Sequence, residues 1–284
     1  MRQGCVLSPL LFITYIDHIC KVAKTTEENN LKDSLNELLF ADDQVLVESS
    51  EEQLQRKIDR LHQTCQTFNM KINIEKTEVM KIGRTERNTN IYIGNNRLKQ
   101  VTEFTYLGSN ITTDGRSSIE IHNRCSKAYQ ALGQMTPIFR NKNVDLNTKV
   151  TLFKTIIIPT LCYQCQTWTT TAQDKRKLVT AEMACLRRIL GISLRDRVRN
   201  EDIRQRTSTT PILEYIKRQQ IKWFAHISRL PSNSIPQQAM LHRYNEGRPR
   251  GRPRKRWTTE IKEATNSTIY SAHKRAISRE LFYP

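Results

Sequence analysis

Leu35-Asn36-Glu37-Leu38-Leu39-Phe40-Ala41-Asp42-Asp43-Gln44-Val45-Leu46-Val47 sets two adjacent carboxylates between two short apolar runs. Leu35 to Phe40 reads as a strand and Val45 to Val47 as a second. Ala41-Asp42-Asp43-Gln44 is the tight turn that joins them into a β-hairpin. Paired carboxylates at such a tip suit a divalent cation. Mg²⁺ takes hard oxygen ligands, commonly one or two carboxylates plus substrate phosphates. An Asp-Asp pair is equally a common exposed turn, so the chemistry depends on the neighbours.

Before the hairpin, Ser8 and Pro9 read as an N-cap and first helical residue. They open a helix from about Leu10 to Ala23. Leu10, Leu11, Ile13, Ile16 and Ile19 give it an apolar face. Pro9 interrupts the apolar run Val6 to Ile16, and no small-residue cleavage site follows, so the segment reads as a buried helix and not a signal peptide. Thr25 to Lys32 is a polar loop. After the hairpin, Ser50-Glu51-Glu52 starts a helix with a capping serine and acids at its positive end. Leu54, Ile58, Leu61 and Phe68 form its stripe. Lys71 to Met80, Ile91 to Ile93 and Phe104 to Gly108 read as short strands, and Thr113-Asp114-Gly115 as a turn. Beyond Gly115 the pattern is helical, with helices expected near 116–139, 145–171, 174–190, 199–206 and 211–230. Leu178, Ala181, Cys185 and Ile189 recur at helical spacing. Leu213, Ile216, Gln220, Phe224 and Ile227 do so with one polar member.

Three further blocks accompany the acidic pair. Arg2-Gln3-Gly4-Cys5-Val6-Leu7-Ser8-Pro9-Leu10-Leu11-Phe12 precedes it. Asn73-Ile74-Glu75-Lys76-Thr77-Glu78 and Phe104-Thr105-Tyr106-Leu107-Gly108-Ser109 follow. In this order the four blocks resemble the palm motifs B, C, D and E of reverse transcriptases from non-LTR, LINE-type retrotransposons. Leu186-Arg187-Arg188-Ile189-Leu190-Gly191-Ile192, Trp223-Phe224-Ala225-His226 and the Gly-Arg-Pro-Arg run look like the C-terminal part of such proteins. The resemblance implies an α+β fold: a partial palm with a small antiparallel sheet and helices over 1–112, then a mostly helical, thumb-like region over 113–230. A basic, Arg/Pro-rich C-terminal segment covers 231–284.

The same resemblance implies an RNA-directed DNA polymerase that transfers nucleotides with two Mg²⁺ ions. Its partners would be an RNA template, a DNA primer or their duplex. Asp42 and Asp43 match the metal-binding pair of motif C, with Asp42 at the more strictly required first position. Gln3 and Gly4 match the loop that contacts the incoming nucleotide and template. Lys76 matches a motif D lysine near the pyrophosphate leaving group, where it would serve as general acid. Tyr106, Leu107 and Gly108 match the hairpin that grips the primer end. On residues alone, Lys76 reads as a surface lysine and Tyr106 to Gly108 as a strand and turn. The sequence departs from the family at motif A: motif B begins at Arg2, directly after Met1, and Asp17 lies on the helix after motif B. With one shared metal ligand outside this chain, two-metal catalysis is expected to fail for the chain alone unless a partner, such as the N-terminal half of a polymerase, supplies it.

The 284 residues carry a formal net charge of +18. Basic and acidic residues balance over residues 1–100, so the whole excess falls in 101–284. Such a surface attracts polyanions, nucleic acid first among them; a solvated Arg-rich helical surface is the plainer reading. Gly247-Arg248-Pro249-Arg250-Gly251-Arg252-Pro253-Arg254-Lys255-Arg256-Trp257 is the densest basic block. Gly and Pro keep it extended, and Arg248, Arg250, Arg252, Arg254, Lys255 and Arg256 are candidates for a narrow minor groove. A nuclear localisation signal or a solvated tail fits the same residues. Trp257 reads as a packing anchor. A non-enzymatic, transposon-derived nucleic-acid-binding protein acting through this block and the thumb is the alternative to a polymerase fragment. Seven Cys at irregular spacing argue against a disulfide framework and for a reducing compartment, cytosol or nucleus. Cys162-Tyr163-Gln164-Cys165 has no second ligand pair, so no zinc is expected and core packing is the reading.

Overall fold

The computed structural model describes residues 5–24, 37–83, 88–241 and 255–279. The chain forms two compact units, residues 1–104 and 105–284. The first opens with α1 (Ser8–Ala23), then the hairpin β1 (Glu37–Phe40) and β2 (Asp43–Leu46), then α2 (Glu51–Thr67). Short strands follow: β3 (Glu78–Val79), β4 (Tyr92–Ile93), β5 (Asn96–Arg97) and β6 (Lys99–Gln100). The second opens with β7 (Glu103–Tyr106), which crosses the boundary, and β8 (Ser109–Thr112), followed by α3 (Ser118–Arg140). Next come α4 (Leu146–Leu152), a π-helical turn (Phe153–Ile157) and α5 (Ile158–Leu161). Then α6 (Ala172–Leu190), α7 (Asn200–Thr207), α8 (Ile212–Ser228), α9 (Ile235–Leu241), α10 (Trp257–Thr265) and α11 (Ile269–Ile277) complete it. The architecture is α+β, as expected. The small antiparallel sheet is instead four separate two-stranded pairs among the described residues. One of them, β3 with β6, is parallel.

Local chemistry explains most boundaries. Ser50 accepts the Gln53 amide at 3.2 Å and caps α2, with Glu51 and Glu52 in its first turn. Thr171 and Asp174 form a reciprocal capping box on α6, and Gly191 closes that helix at φ 67. α1 corrects the reading of Ser8: Leu7 is the N-cap and no side chain caps it. The expected strand over Lys71 to Met80 shrinks to Glu78 and Val79. Asn73 takes that segment into a turn, accepting the Lys76 amide on its side chain at 3.2 Å and the Thr77 amide on its carbonyl at 3.0 Å. The single helix expected over 145–171 breaks into α4, the π turn and α5. It ends at Leu161, and Gln164 in the turn that follows is left-handed at φ 56.

In the second unit the apolar stripes meet in one core. Ile121, Ala128, Phe139, Phe153, Ile157, Leu161, Leu178, Cys185, Leu186, Ile203 and Ile212 all belong to it. Gln220, the polar member of the α8 stripe, is also buried; its amide donates to the carbonyls of Trp168 at 2.9 Å and Cys165 at 3.4 Å. A satellite core joins Phe224 and Ala225 to Ile261, Ala272 and Ala276, so α10 and α11 pack on α8. Trp257 packs against this satellite and donates to Gln166 O at 2.7 Å, the anchor expected of it. Glu182 is buried and accepts two hydrogen bonds from Arg204, at 2.8 and 3.2 Å, plus the Ile212 amide at 3.1 Å.

The first unit buries less. Ile58, Val79, Ile91, Ile93 and Leu98 form one small cluster; Ile19, Leu61 and Cys65 form another. The expected apolar face of α1 is mostly uncovered: only Ile19 and Cys20 are buried, while Leu10, Leu11 and Ile13 are exposed. The described residues simply offer nothing for the first turns of this helix to pack against.

Candidate functional site

Phe40 pairs with Asp43 across the hairpin, so the turn is the two residues Ala41 and Asp42. β2 therefore starts one residue into the acidic pair. Ala41 holds φ 53, a left-handed conformation that non-glycine residues seldom take. The strands beneath are tethered. Gln44 donates to Glu37 at 2.6 Å and, more weakly, to the Cys20 sulfur of α1 at 3.6 Å. Lys24 pairs with Glu37 at 2.8 Å, and Lys57 of α2 with Glu48 at 3.0 Å. Burial, reinforced by the neighbouring Glu37 carboxylate, pushes the Cys20 thiol up to about 12. The hydrogen bond to Glu37 raises Lys24.

Above this base Asp42 and Asp43 are both exposed. Two adjacent carboxylates held at a tight turn are the hard oxygen donors that a divalent cation accepts, and they fit part of such a site. Among the described residues, no group of three or more His, Cys, Asp or Glu side chains gathers into a metal-ligating cluster. Lys76 is exposed and closes the Asn73 turn. Gln3 and Gly4 lie outside the described residues.

Tyr106, Leu107 and Gly108 lie on the second unit, at the β7–β8 hairpin. Leu107 at φ 48 and Gly108 at φ 77 form a two-residue turn with both members left-handed, the conformation favoured between twisted antiparallel strands. Sequence reading identified this hairpin but missed the groups around it. Leu107 O accepts from Tyr163 Oη at 2.8 Å, and Gly108 O accepts from Arg124 Nη2. The Glu120/Arg124 spacing of four residues on α3 was the one visible hint.

Of the basic block, Arg248, Arg250, Arg252 and Arg254 lie outside the described residues. Lys255 is committed to α10, reaching Glu263 at 2.7 Å and Glu260 at 3.1 Å. Arg256 is the exposed N-cap residue of that helix. Cys162 and Cys165 are buried members of the helical core. The neighbouring Cys165 and burial push the Cys162 thiol far above the usual thiol range. No helix among the described residues is long and apolar enough to cross a membrane.

Residues 1–111 match the reverse transcriptase (RNA-dependent DNA polymerase) family. A transposon-derived protein of Caenorhabditis elegans is 28% identical over 239 residues, covering 81% of this chain and 85% of that protein. The RNA-directed DNA polymerase from mobile element jockey of Drosophila melanogaster is 25% identical over 200 residues. That match covers 66% of this chain, which spans 21% of the jockey protein. No solved structure matches the chain. Residues 1–111 are therefore similar to the reverse transcriptase family, whose members use divalent metal and bind nucleic acid, and the chain resembles proteins of transposon and mobile-element origin over most of its length.

Proposed function

We propose that this chain is the part of a non-LTR reverse transcriptase that presents the motif C carboxylates and holds the primer–template duplex. The observation that carries this is the exposed Asp42-Asp43 pair on a tethered hairpin, within a segment that matches the family. The two carboxylates would hold Mg²⁺ together with substrate phosphates; bound there, the ion supplies charge neutralisation for nucleotidyl transfer. Asp42 provides the first ligand and Asp43 the second. Lys76, exposed and free to approach a phosphate, is assigned proton donation to the departing pyrophosphate. Gln3 and Gly4 are assigned to nucleotide and template, and Tyr106 to Gly108 to the primer end. Among the described residues no third ligand joins the pair to complete a two-ion site, so the chain alone is assigned binding and not copying.

The test is Mg²⁺ titration and primer extension on the purified chain with a primed RNA template. Asp42→Asn is expected to weaken Mg²⁺ uptake, with no extension from either protein. Extension that Asp42→Ala abolishes would overturn the assignment of inactivity. Unchanged Mg²⁺ binding in Asp42→Asn would overturn the metal role.

A second reading rests on the charge, which falls wholly in residues 101–284. On that reading the chain is a nucleic-acid-binding protein acting through its helical unit and the block 247–256, and the acidic pair is inherited. Deleting 247–256 would then remove most affinity for a duplex and flatten its salt dependence, while Asp42 variants bind as before.

A further inference from the structure

We infer that Arg124, working with Glu120 and Tyr163, is the positioning group of the hairpin that carries Tyr106, Leu107 and Gly108. The hairpin turn is built from an unusual pair. Leu107 stands at φ 48 where Asn, Asp or Gly is the common choice, so the turn's own sequence only half supports its shape. The support comes from outside the hairpin. Both turn carbonyls are taken by donors from the helical unit, Leu107 O by Tyr163 Oη at 2.8 Å and Gly108 O by Arg124 Nη2. Arg124 sits on α3 and Tyr163 in the turn after α5, so two separate elements grip adjacent carbonyls.

The donors are themselves locked together. The Arg124 guanidinium lies over the Tyr163 ring, 4.4 Å from its centroid. Its Nε donates to Glu120 Oε1 at 2.5 Å. The other Glu120 oxygen accepts the Asn110 amide of β8 at 2.8 Å. The network thus returns to the hairpin it started from. Glu120 is 2% exposed and Arg124 6%. Burying such a pair is costly unless every group is satisfied, and here the guanidinium is used on the carboxylate, the ring and a turn carbonyl at once. Gly108 completes the fit: a Cβ added there would lie 3.6 Å from the Tyr163 ring, on a backbone at φ 77 that side chains avoid.

What is held is backbone, while the surface of the turn is left open. Gly108 is exposed and Tyr163 is 42% exposed. A buried ion pair spent on an exposed turn fits a tip whose position matters to something that touches it. That the visitor is the primer end of a duplex rests on the function proposed above; that Arg124 positions the tip does not.

The experiment uses the full chain with Arg124→Lys and Tyr163→Phe. Lysine keeps the charge beside Glu120 but has a single ammonium, which cannot serve Glu120 and Gly108 while lying flat on the ring. Phenylalanine keeps the ring and loses only the Leu107 bond. Hydrogen exchange is read at residues 105–112 and at the α6 core, and affinity is measured for an RNA/DNA duplex with a recessed primer end. In Arg124→Lys, exchange of the hairpin amides is expected to rise on the order of tenfold while α6 is unchanged, and duplex affinity to fall on the order of tenfold. Tyr163→Phe should move the same quantities by about a third as much on a logarithmic scale. Equal acceleration at α6 would make Arg124 a core strut, and unchanged hairpin exchange would make it idle; either overturns the inference. A wild-type chain that binds no duplex would overturn the proposed function, and exchange would still decide the positioning role.

Discussion

In the helical unit Leu178, Ala181, Cys185, Leu186 and Ile189 vanish into one core. In the first unit Leu10, Leu11 and Ile13 repeat a helical apolar spacing and stay in solvent. The pattern is of the same kind; the surroundings differ. Periodicity tells which face of a helix is able to be buried, and only a neighbour with a matching face does the burying. The second unit supplies that neighbour from its own chain: α3 packs on α6, and α6 on α8. The first unit has α2 for the end of α1 and nothing described for its start. The family match therefore falls mostly on the more thinly packed unit, whereas most of the buried core lies beyond residue 111.

This contrast can be broken experimentally, and one accident of composition helps. Trp168, Trp223 and Trp257 all lie in residues 105–284, so tryptophan fluorescence reports the helical unit alone. The largest expected effect is Phe153→Ala, which empties a fully buried site and should cost about 3–5 kcal/mol in a urea titration followed by fluorescence. A loss under 1 kcal/mol would mean that the core is looser than its packing indicates. Next is Gln220→Ala, which leaves the Trp168 carbonyl without its donor and should cost about 1–3 kcal/mol.

Smaller still is the response to alkali. Burial pushes the Cys185 thiol up to about 12, whereas in the unfolded chain it titrates near the model-peptide value of 9.0. The neutral thiol is the folded form. Its stabilisation is therefore whole below pH 9 and is lost as pH rises towards 12, about 1 kcal/mol by pH 10. Cys185→Ala should flatten that decline relative to wild type; an identical slope would assign it elsewhere. Least of all is Leu11→Ser on α1, expected within about 0.5 kcal/mol because the side chain is already exposed. A loss of several kcal/mol, read by circular dichroism, would show that α1 is covered in solution and would erase the contrast.

Local chemistry was the legible part. The β1–β2 hairpin was readable because a turn between two apolar runs is written in consecutive residues, although the structure narrows that turn from Ala41 to Gln44 down to Ala41 and Asp42. Ser50 was readable as a cap for the same reason. Lys71 to Met80 misled because strand-like residues surround Asn73, whose side chain wins the segment for a turn. The stretch 145–171 misled because its apolar spacing continues through the π turn and the break at Gln164, both of which sit against the core. Arg124 and Tyr163 were out of reach. One lies 16 residues from Gly108 and the other 56 from Leu107, and the Glu120/Arg124 spacing on α3 hints at an ion pair but not at the hairpin it holds.

Gln220 has a consequence of a different sort. Apolar contacts are non-directional, so Ile216, Phe224 and Ile227 constrain the height of α8 only through their shape. The amide is directional. It meets the carbonyls of Cys165 and Trp168 at one height and one rotation only. A single polar side chain thus adds a directional constraint to the register of α8, the helix on whose far half α10 and α11 are seated.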